Sequence, residues 1–185
     1  MHYLQKDADK TIDVVEIDET MTQIAEEQFG LDKNNPKLGL ITQDGRSYLN
    51  YNEKKYDTIL IDAFKGLNAP FELTTYEAMQ KVYDSLDENG IVITNIISSL
   101  EGEDTDFIEY EYTTYKIIFD DVKVFKVNPD RANSEEQNLI LVGIKGNGNI
   151  NTEKEEEYKD FLNNEIKDFT SDKTIVTDNY APIGD

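Results

Sequence analysis

Short apolar runs that alternate with helical segments constrain the fold of this chain more than any other feature. Four runs rich in apolar and β-branched residues occupy residues 12–17, 38–42, 56–61 and 90–96. Nearly continuous apolar runs of this length are typical of strands that are buried on both faces. Because strands that alternate with helices favour a parallel sheet covered on both sides, the sequence predicts an α/β fold of the doubly wound class.

A segment whose apolar residues recur at helical spacing follows each of these runs. The first helix carries acids in its first turn, and Gly30 is placed to end it. A turn at Asp44 begins a brief second helix. In the third helix Thr74 and Glu77 have the spacing of a capping box, and residues 107–119 form a fourth helix that is rich in tyrosine.

The last part of the chain departs from this alternation. Residues 122–127 and 138–144 are apolar runs joined by a polar loop that is too short for a crossover helix. We therefore expect them to pair as an antiparallel hairpin. After a polar link, the apolar residues from Tyr158 to Phe169 form one stripe, which predicts an amphipathic helix.

Composition excludes several classes of function. The 185 residues include 39 acids and 18 bases, a formal charge of −21 that repels nucleic acid and anionic membranes. The chain has no cysteine for disulfides or zinc, and its single histidine, His2, lies near the terminus, so we expect no metal site. No apolar run is long enough to span a bilayer, and a signal-peptide pattern is absent. We expect a cytoplasmic protein, with residues 1–146 as one domain and residues 147–185 as a helix and tail packed on it.

Three acids follow three successive predicted strands. Glu16, Asp44 and Asp62 lie at the carboxyl ends of these strands, where open α/β sheets bind their ligands. An acid in such a position can accept hydrogen bonds from ribose hydroxyls, and Asp44 beside Gly45 can accept from an adenine amino group. A single strand-end acid is more simply a solvated residue, and an acid before a helix is a common cap. Three acids in register favour one nucleoside site along one rim of the sheet.

An ordered set of motifs resembles a known family. The motifs are "VVEID", "DGRSYL", "YDTILIDAFKG", "NGIVITNI" and "TDNYAPI". They resemble the spermidine synthase-like branch of the S-adenosylmethionine-dependent methyltransferase superfamily, which has a Rossmann-like fold. The resemblance extends from about Asp9 to the C-terminus. It implies a transferase that acts in polyamine biosynthesis.

The resemblance implies a role for each of these acids. Glu16 looks like the acid that holds the ribose, and Asp44, with Gly45, like the one that reads adenine. Asp62 looks like the acid that opens the catalytic loop of aminopropyltransferases and helps to deprotonate the attacking amine. The co-substrate is then decarboxylated S-adenosylmethionine, or S-adenosylmethionine itself, and the acceptor is a small amine.

Two positions bear on the acceptor. The family usually has a second acid three residues after the first, and this chain has Lys65 there. A lysine beside the path of a polyamine repels it unless the side chain turns outward. Tyr76 is a candidate for an apolar wall of the same substrate site, although ordinary packing explains it equally well.

The start of the chain lacks a counterpart of the family's first strand and glycine-rich loop. In the fold that this chain resembles, that strand lies between residues 12–17 and residues 56–61. Without it, buried backbone groups lose their partners at about 1 to 3 kcal/mol each. Three outcomes are open: the chain is an N-terminally truncated fragment, the flanking strands pair directly, or a partner or second copy supplies the strand.

The fragment interpretation predicts weak activity or none for this chain alone. Two other functions remain open. One is methyl transfer from S-adenosylmethionine to another substrate, and the other is a catalytically silent binding module that keeps the acids as fold residues.

Overall fold

The computed structural model describes residues 10–62, 71–102, 105–148 and 156–180. The chain divides into two compact units, Met1–Asn52 and Glu53–Asp185. Both units combine strands with helices, as the alternation of apolar runs predicts.

The first unit contains two strands, each followed by a helix. The elements are β1 (Ile12–Glu16), α1 (Glu19–Phe29), β2 (Leu38–Thr42) and α2 (Gly45–Tyr51). The two strands are parallel and in register from the pair Ile12 and Leu38 to the pair Glu16 and Thr42. The chain leaves α1 at Gly30, whose φ of 69° lies in the left-handed region that favours glycine. The predicted end of this helix is confirmed.

The first unit has little core. None of its described residues, from Lys10 to Asn52, is buried. Large apolar side chains are exposed instead, including Phe29 at 82% and Ile17 at 69%. A two-stranded sheet needs further packing to be stable by itself, so this unit is the less strongly stabilised of the two.

The second unit is built around a four-stranded mixed sheet. Its strands are β3 (Tyr56–Ile61), β4 (Leu86–Ser98), β5 (Asp121–Lys126) and β6 (Gln137–Ile144), in the order β3, β4, β6, β5. β3 and β4 are parallel, whereas β6 is antiparallel to both β4 and β5. The predicted antiparallel hairpin is therefore confirmed. Among the described strands, β3 pairs only with β4, and β1 pairs only with β2.

Helices cover both faces of the four-stranded sheet. The helices are α3 (Tyr76–Ser85), α4 (Asp106–Ile118) and α5 (Glu156–Leu162). α3 and α4 cover one face, where Met79, Ile108 and Leu141 are fully buried. On the other face the ring of Phe161 stacks on that of Phe125, with 5.9 Å between the ring centroids. Successive residues of a strand point to opposite faces, which explains how β4 serves both layers.

Two predicted boundaries are wrong in detail. The cap of α3 is Thr75 rather than Thr74, since the Thr75 hydroxyl accepts the N–H of Ala78 at 3.2 Å. The Thr74 hydroxyl instead donates to the carbonyl of Phe71. β4 is longer than residues 90–96 because it begins at Leu86 and passes through Asn89, whose φ is 66°.

The C-terminal helix is shorter than its apolar stripe predicts. It ends at Leu162. The backbone N–H groups of Asn163 and Asn164, which follow, donate to the carbonyls of Asp160 at 3.2 Å and Phe161 at 3.0 Å. Glu165 then pairs with Phe125 at the edge of the sheet, and the N–H of Ile166 donates to the carbonyl of Val124 at 2.8 Å. This pairing with β5 provides hydrogen-bond partners for backbone groups that would be bonded within the helix if the helix continued.

Candidate functional site

Glu16 lies at the carboxyl end of β1, as predicted. Its backbone carbonyl accepts the N–H of Gln43 at 3.1 Å, so β1 and β2 stay paired up to the predicted site. The half-buried side chain of Glu16 accepts the N–H of Asp18 through Oε1 at 2.9 Å. This bond holds the carboxylate at the edge of the sheet, above the start of α1.

Asp44 lies at the same edge of the two-stranded sheet, because the parallel strands β1 and β2 end side by side. Its Oδ1 accepts the N–H of Ser47 at 2.8 Å and thereby caps α2. The side chain is exposed, and Gly45 is the first residue of the helix. The structure thus brings Glu16 and Asp44 to one edge of the first unit, and it shows that Asp44 also has the ordinary role of a cap.

Asp18 is the corresponding cap of α1. Its Oδ1 accepts the N–H of Thr20 at 2.8 Å, and hydrogen bonds from Thr20 hold the pKa of Asp18 below its ordinary value. Asp18 therefore has the ordinary role of a helix cap.

Asp62 lies in the second unit, directly after β3. Because Ile61 pairs with Thr94, Asp62 comes next to Asn95 on the neighbouring parallel strand. The Asn95 amide Nδ2 donates to Asp62 Oδ1 at 2.9 Å, and Asp62 is exposed. One carboxylate oxygen of Asp62 is therefore held by a side chain from the centre of the sheet.

Asn95 is a site residue that the sequence analysis missed. It is a polar residue in the otherwise apolar segment "GIVITNI", one strand away from Asp62. A buried strand seldom carries an amide without a partner. The polar residue is the signal present in the sequence, whereas its partner, Asp62, follows from the register of β3 and β4 in the structure.

The two residues proposed for the acceptor differ in what the structure describes. Tyr76 is the first residue of α3, is half-buried, and donates its backbone N–H to the carbonyl of Val176 at 2.7 Å. Lys65 lies outside the described residues. The place of Lys65 in the site therefore stays a prediction.

A buried carboxyl group lies inside the second unit, on α4. Glu111 of α4 is fully buried, and neither of its oxygens has a hydrogen-bond partner in the described structure. Burial raises the pKa of Glu111 well above its ordinary value of 4.5. One turn later, the hydroxyl of Tyr115 bonds that of Thr94 at 2.6 Å, and burial also raises the pKa of Tyr115.

Other kinds of site find no support in the described ranges. Within them, no three acidic or histidine side chains come together as metal ligands do. None of the helices described is both long enough and apolar enough to cross a bilayer. A depression of about 340 Å³ on the second unit is lined by Glu109, Lys126 and Asp168 among others, and by none of the predicted site residues.

Comparison with known proteins points to one family. Residues 3–131 match the family described as the spermine/spermidine synthase domain. A polyamine aminopropyltransferase of Vibrio vulnificus (strain CMCP6) is 30% identical over 125 residues, which cover 66% of this chain and 40% of the relative.

Solved structures agree on the fold. A probable spermidine synthase from Corynebacterium glutamicum ATCC 13032 has a TM-score of 0.61 at 23% identity, over 71% of this chain and 46% of that chain. A spermidine synthase in complex with the transition state analogue AdoDATO has a TM-score of 0.61 at 21% identity, over 77% of this chain and 49% of that chain. This chain spans less than half the length of each of these three proteins. The predicted fold class is confirmed.

Proposed function

This chain belongs to the spermine/spermidine synthase domain family, and we propose on that premise that it takes part in aminopropyl transfer to an amine. The donor in this proposal is decarboxylated S-adenosylmethionine. The observation that carries the proposal is the position of Asp62, which follows a parallel strand and is held by Asn95 at 2.9 Å. Parallel α/β sheets bind their ligands at this end of their strands.

Glu16 and Asp44 are proposed to hold the nucleoside of the donor. Support comes from their shared edge at the ends of β1 and β2 and from the bond that fixes the Glu16 carboxylate. A fixed carboxylate accepts hydroxyl donors without a further loss of side-chain freedom. Gly45, at the start of α2, has no side chain that would keep the adenine ring away from the backbone.

Asp62 is proposed to be the base. A primary amine has an ordinary pKa near 10, so at neutral pH it must lose a proton before its nitrogen lone pair can attack. The nitrogen then bonds to the carbon beside the sulfonium, the carbon–sulfur bond breaks, and its electron pair leaves with sulfur as a neutral thioether. Asp62 takes the proton from the amine. The hydrogen bond from Asn95 restricts rotation of this carboxylate and so aligns it with the acceptor.

Lys65 shapes the proposed choice of acceptor. In the sequence it occupies the position where the family that this chain resembles usually has an acid, and in this proposal a second ammonium group on the substrate meets repulsion there rather than attraction. We therefore propose that the acceptor is an amine with a single positive charge near this position. The net charge of −21 still favours the approach of cationic substrates over anionic ones.

The proposal is tested by supplying the protein with two labelled donors. We expect decarboxylated S-adenosylmethionine and a monoamine to give methylthioadenosine and the aminopropylated amine, with slower turnover of 1,4-diaminobutane. S-adenosylmethionine is the control donor. Methyl transfer from that donor, or no transfer from either donor by a protein with native circular dichroism, would contradict the proposal.

A further inference from the structure

The C-terminal segment makes several hydrogen bonds to the start of α3, about a hundred residues earlier in the chain. The Thr75 hydroxyl donates to Asp178 Oδ1 at 2.6 Å, and the N–H of Asp178 donates to Glu77 Oε2 at 3.0 Å. The N–H of Tyr76 donates to the carbonyl of Val176 at 2.7 Å. We call Thr75, Glu77 and Asp178 the clasp. These contacts join the start of α3 to the C-terminal segment through side-chain and backbone hydrogen bonds.

Asp178 orients the cap of α3. A hydroxyl group has one hydrogen to donate and lone pairs to accept with. Because the Thr75 hydroxyl gives its hydrogen to Asp178, its lone pairs are directed to the N–H of Ala78, which lies 3.2 Å away. The geometry of a helix cap fixes where the first turn begins.

Asp178 is itself held in place. Val176 is fully buried and donates its N–H to the Thr114 hydroxyl at 3.3 Å. Thr177 and Tyr180 exchange backbone hydrogen bonds of 2.8 and 3.0 Å and close a turn around Asp178. The clasp therefore connects α3 to a part of the chain that is anchored on α4.

The clasp lies at the edge of the sheet that carries Asp62. α3 connects the parallel strands β3 and β4, so it must run back across the sheet in the opposite direction to both. Its first turn, with Tyr76, consequently begins near the carboxyl end of β3, where Asp62 and Asn95 meet.

We propose that Asp178 is a positioning residue that acts through Thr75 to hold Tyr76 beside the acceptor amine, and so sets the affinity for that amine. The acceptor part of this inference rests on the proposed aminopropyl transfer. The inference goes beyond it in assigning a role to a C-terminal residue that is not among the strand-end acids.

The test compares variants that break the clasp with variants that preserve it. Asp178→Ala and Thr75→Val remove one partner each, whereas Asp178→Asn and Thr75→Ser keep an acceptor and a hydroxyl. Asp172→Asn removes one exposed charge from the same segment and serves as the control. We measure the KM for the amine, the KM for the donor and kcat, together with amide hydrogen exchange of Tyr76 and Ala78.

Breaking the clasp is expected to raise the KM for the amine about 3- to 10-fold, as the loss of one hydrogen bond implies. We expect kcat and the KM for the donor to stay within about 2-fold, and the amides of Tyr76 and Ala78 to exchange about 10-fold faster, while those of β4 do not change. Asp178→Asn and Thr75→Ser are expected to behave like the unaltered protein. The double variant should be no worse than either single variant.

Two results would overturn the inference. One is an unchanged KM for the amine in Asp178→Ala, and the other is faster exchange throughout the second unit, which indicates a merely structural role. Absence of turnover by the unaltered chain contradicts the proposed function instead, and with it the acceptor role. In that case unchanged exchange at Tyr76 in Asp178→Ala would contradict the clasp as well.

Discussion

Replacement of Asp62 by Asn is expected to lower kcat by about 100- to 10,000-fold, the usual contribution of a general base. Asparagine has nearly the shape of aspartate and can still accept the hydrogen bond from Asn95, but it cannot take a proton from the amine. The loss is therefore expected in kcat, while the affinity for the donor nucleoside changes little. Steady-state kinetics at saturating donor measures both quantities.

Asp57→Asn is the matched control for this experiment. Asp57 is an exposed acid on the same strand, so its replacement removes the same charge without touching the contact with Asn95. We expect its kcat to stay within about 2-fold of the unaltered protein, since isolated surface charges contribute little. Equal rates for Asp62→Asn and Asp57→Asn would exclude Asp62 as the base.

Replacement of Glu111 by Gln is expected to stabilise the protein above pH 5. An unfolded glutamate loses its proton near the ordinary pKa of 4.5, whereas burial keeps the folded one protonated to a much higher pH. Between the two pKa values the unfolded chain binds fewer protons than the folded one. The free energy of unfolding therefore falls as pH rises, by up to about 1.4 kcal/mol per pH unit. Below the unfolded pKa this contribution to stability is fully present.

Glutamine cannot ionise, so position 111 no longer lowers the free energy of unfolding as the pH rises. At pH 8 we expect the free energy of unfolding of Glu111→Gln to exceed that of the unaltered protein, and the difference to vanish at pH 4. Urea titrations at the two pH values measure it. Glu88→Gln, which removes an equal charge from an exposed position, is the control and should show no such pH dependence. A difference between Glu111→Gln and the unaltered protein that is the same at both pH values would show that Glu111 does not titrate as burial requires.

Local patterns were enough to predict most of the strands and helices. Near-continuous apolar runs gave the positions of β1, β2 and β3, and Gly30 gave the end of α1, because backbone geometry at that point favours glycine. Carboxyl-end placement of Glu16, Asp44 and Asp62 follows from the strand positions alone. Their roles in binding and catalysis stay predictions.

These local patterns did not predict the contacts between distant parts of the chain. Two adjacent threonines precede α3, and Thr75, which caps it, also donates to Asp178, about a hundred residues away. The end of α5 depends on pairing with β5, which competes with the helical stripe. Asn95 and Glu111 were missed because a single polar residue in an apolar segment carries no sign of the partner it meets, or lacks, after folding.

The central claim is that the acids at the strand ends hold and activate the substrates of aminopropyl transfer. Calorimetric titration with methylthioadenosine, the nucleoside product of the proposed reaction, tests its first half directly. We predict saturable binding by the unaltered protein and binding about 10-fold weaker or more in Glu16→Gln, which loses a charged acceptor for the ribose, at an unchanged melting temperature. Saturable binding of equal strength in both proteins, or no heat at millimolar nucleoside from a protein with native circular dichroism, would contradict the account.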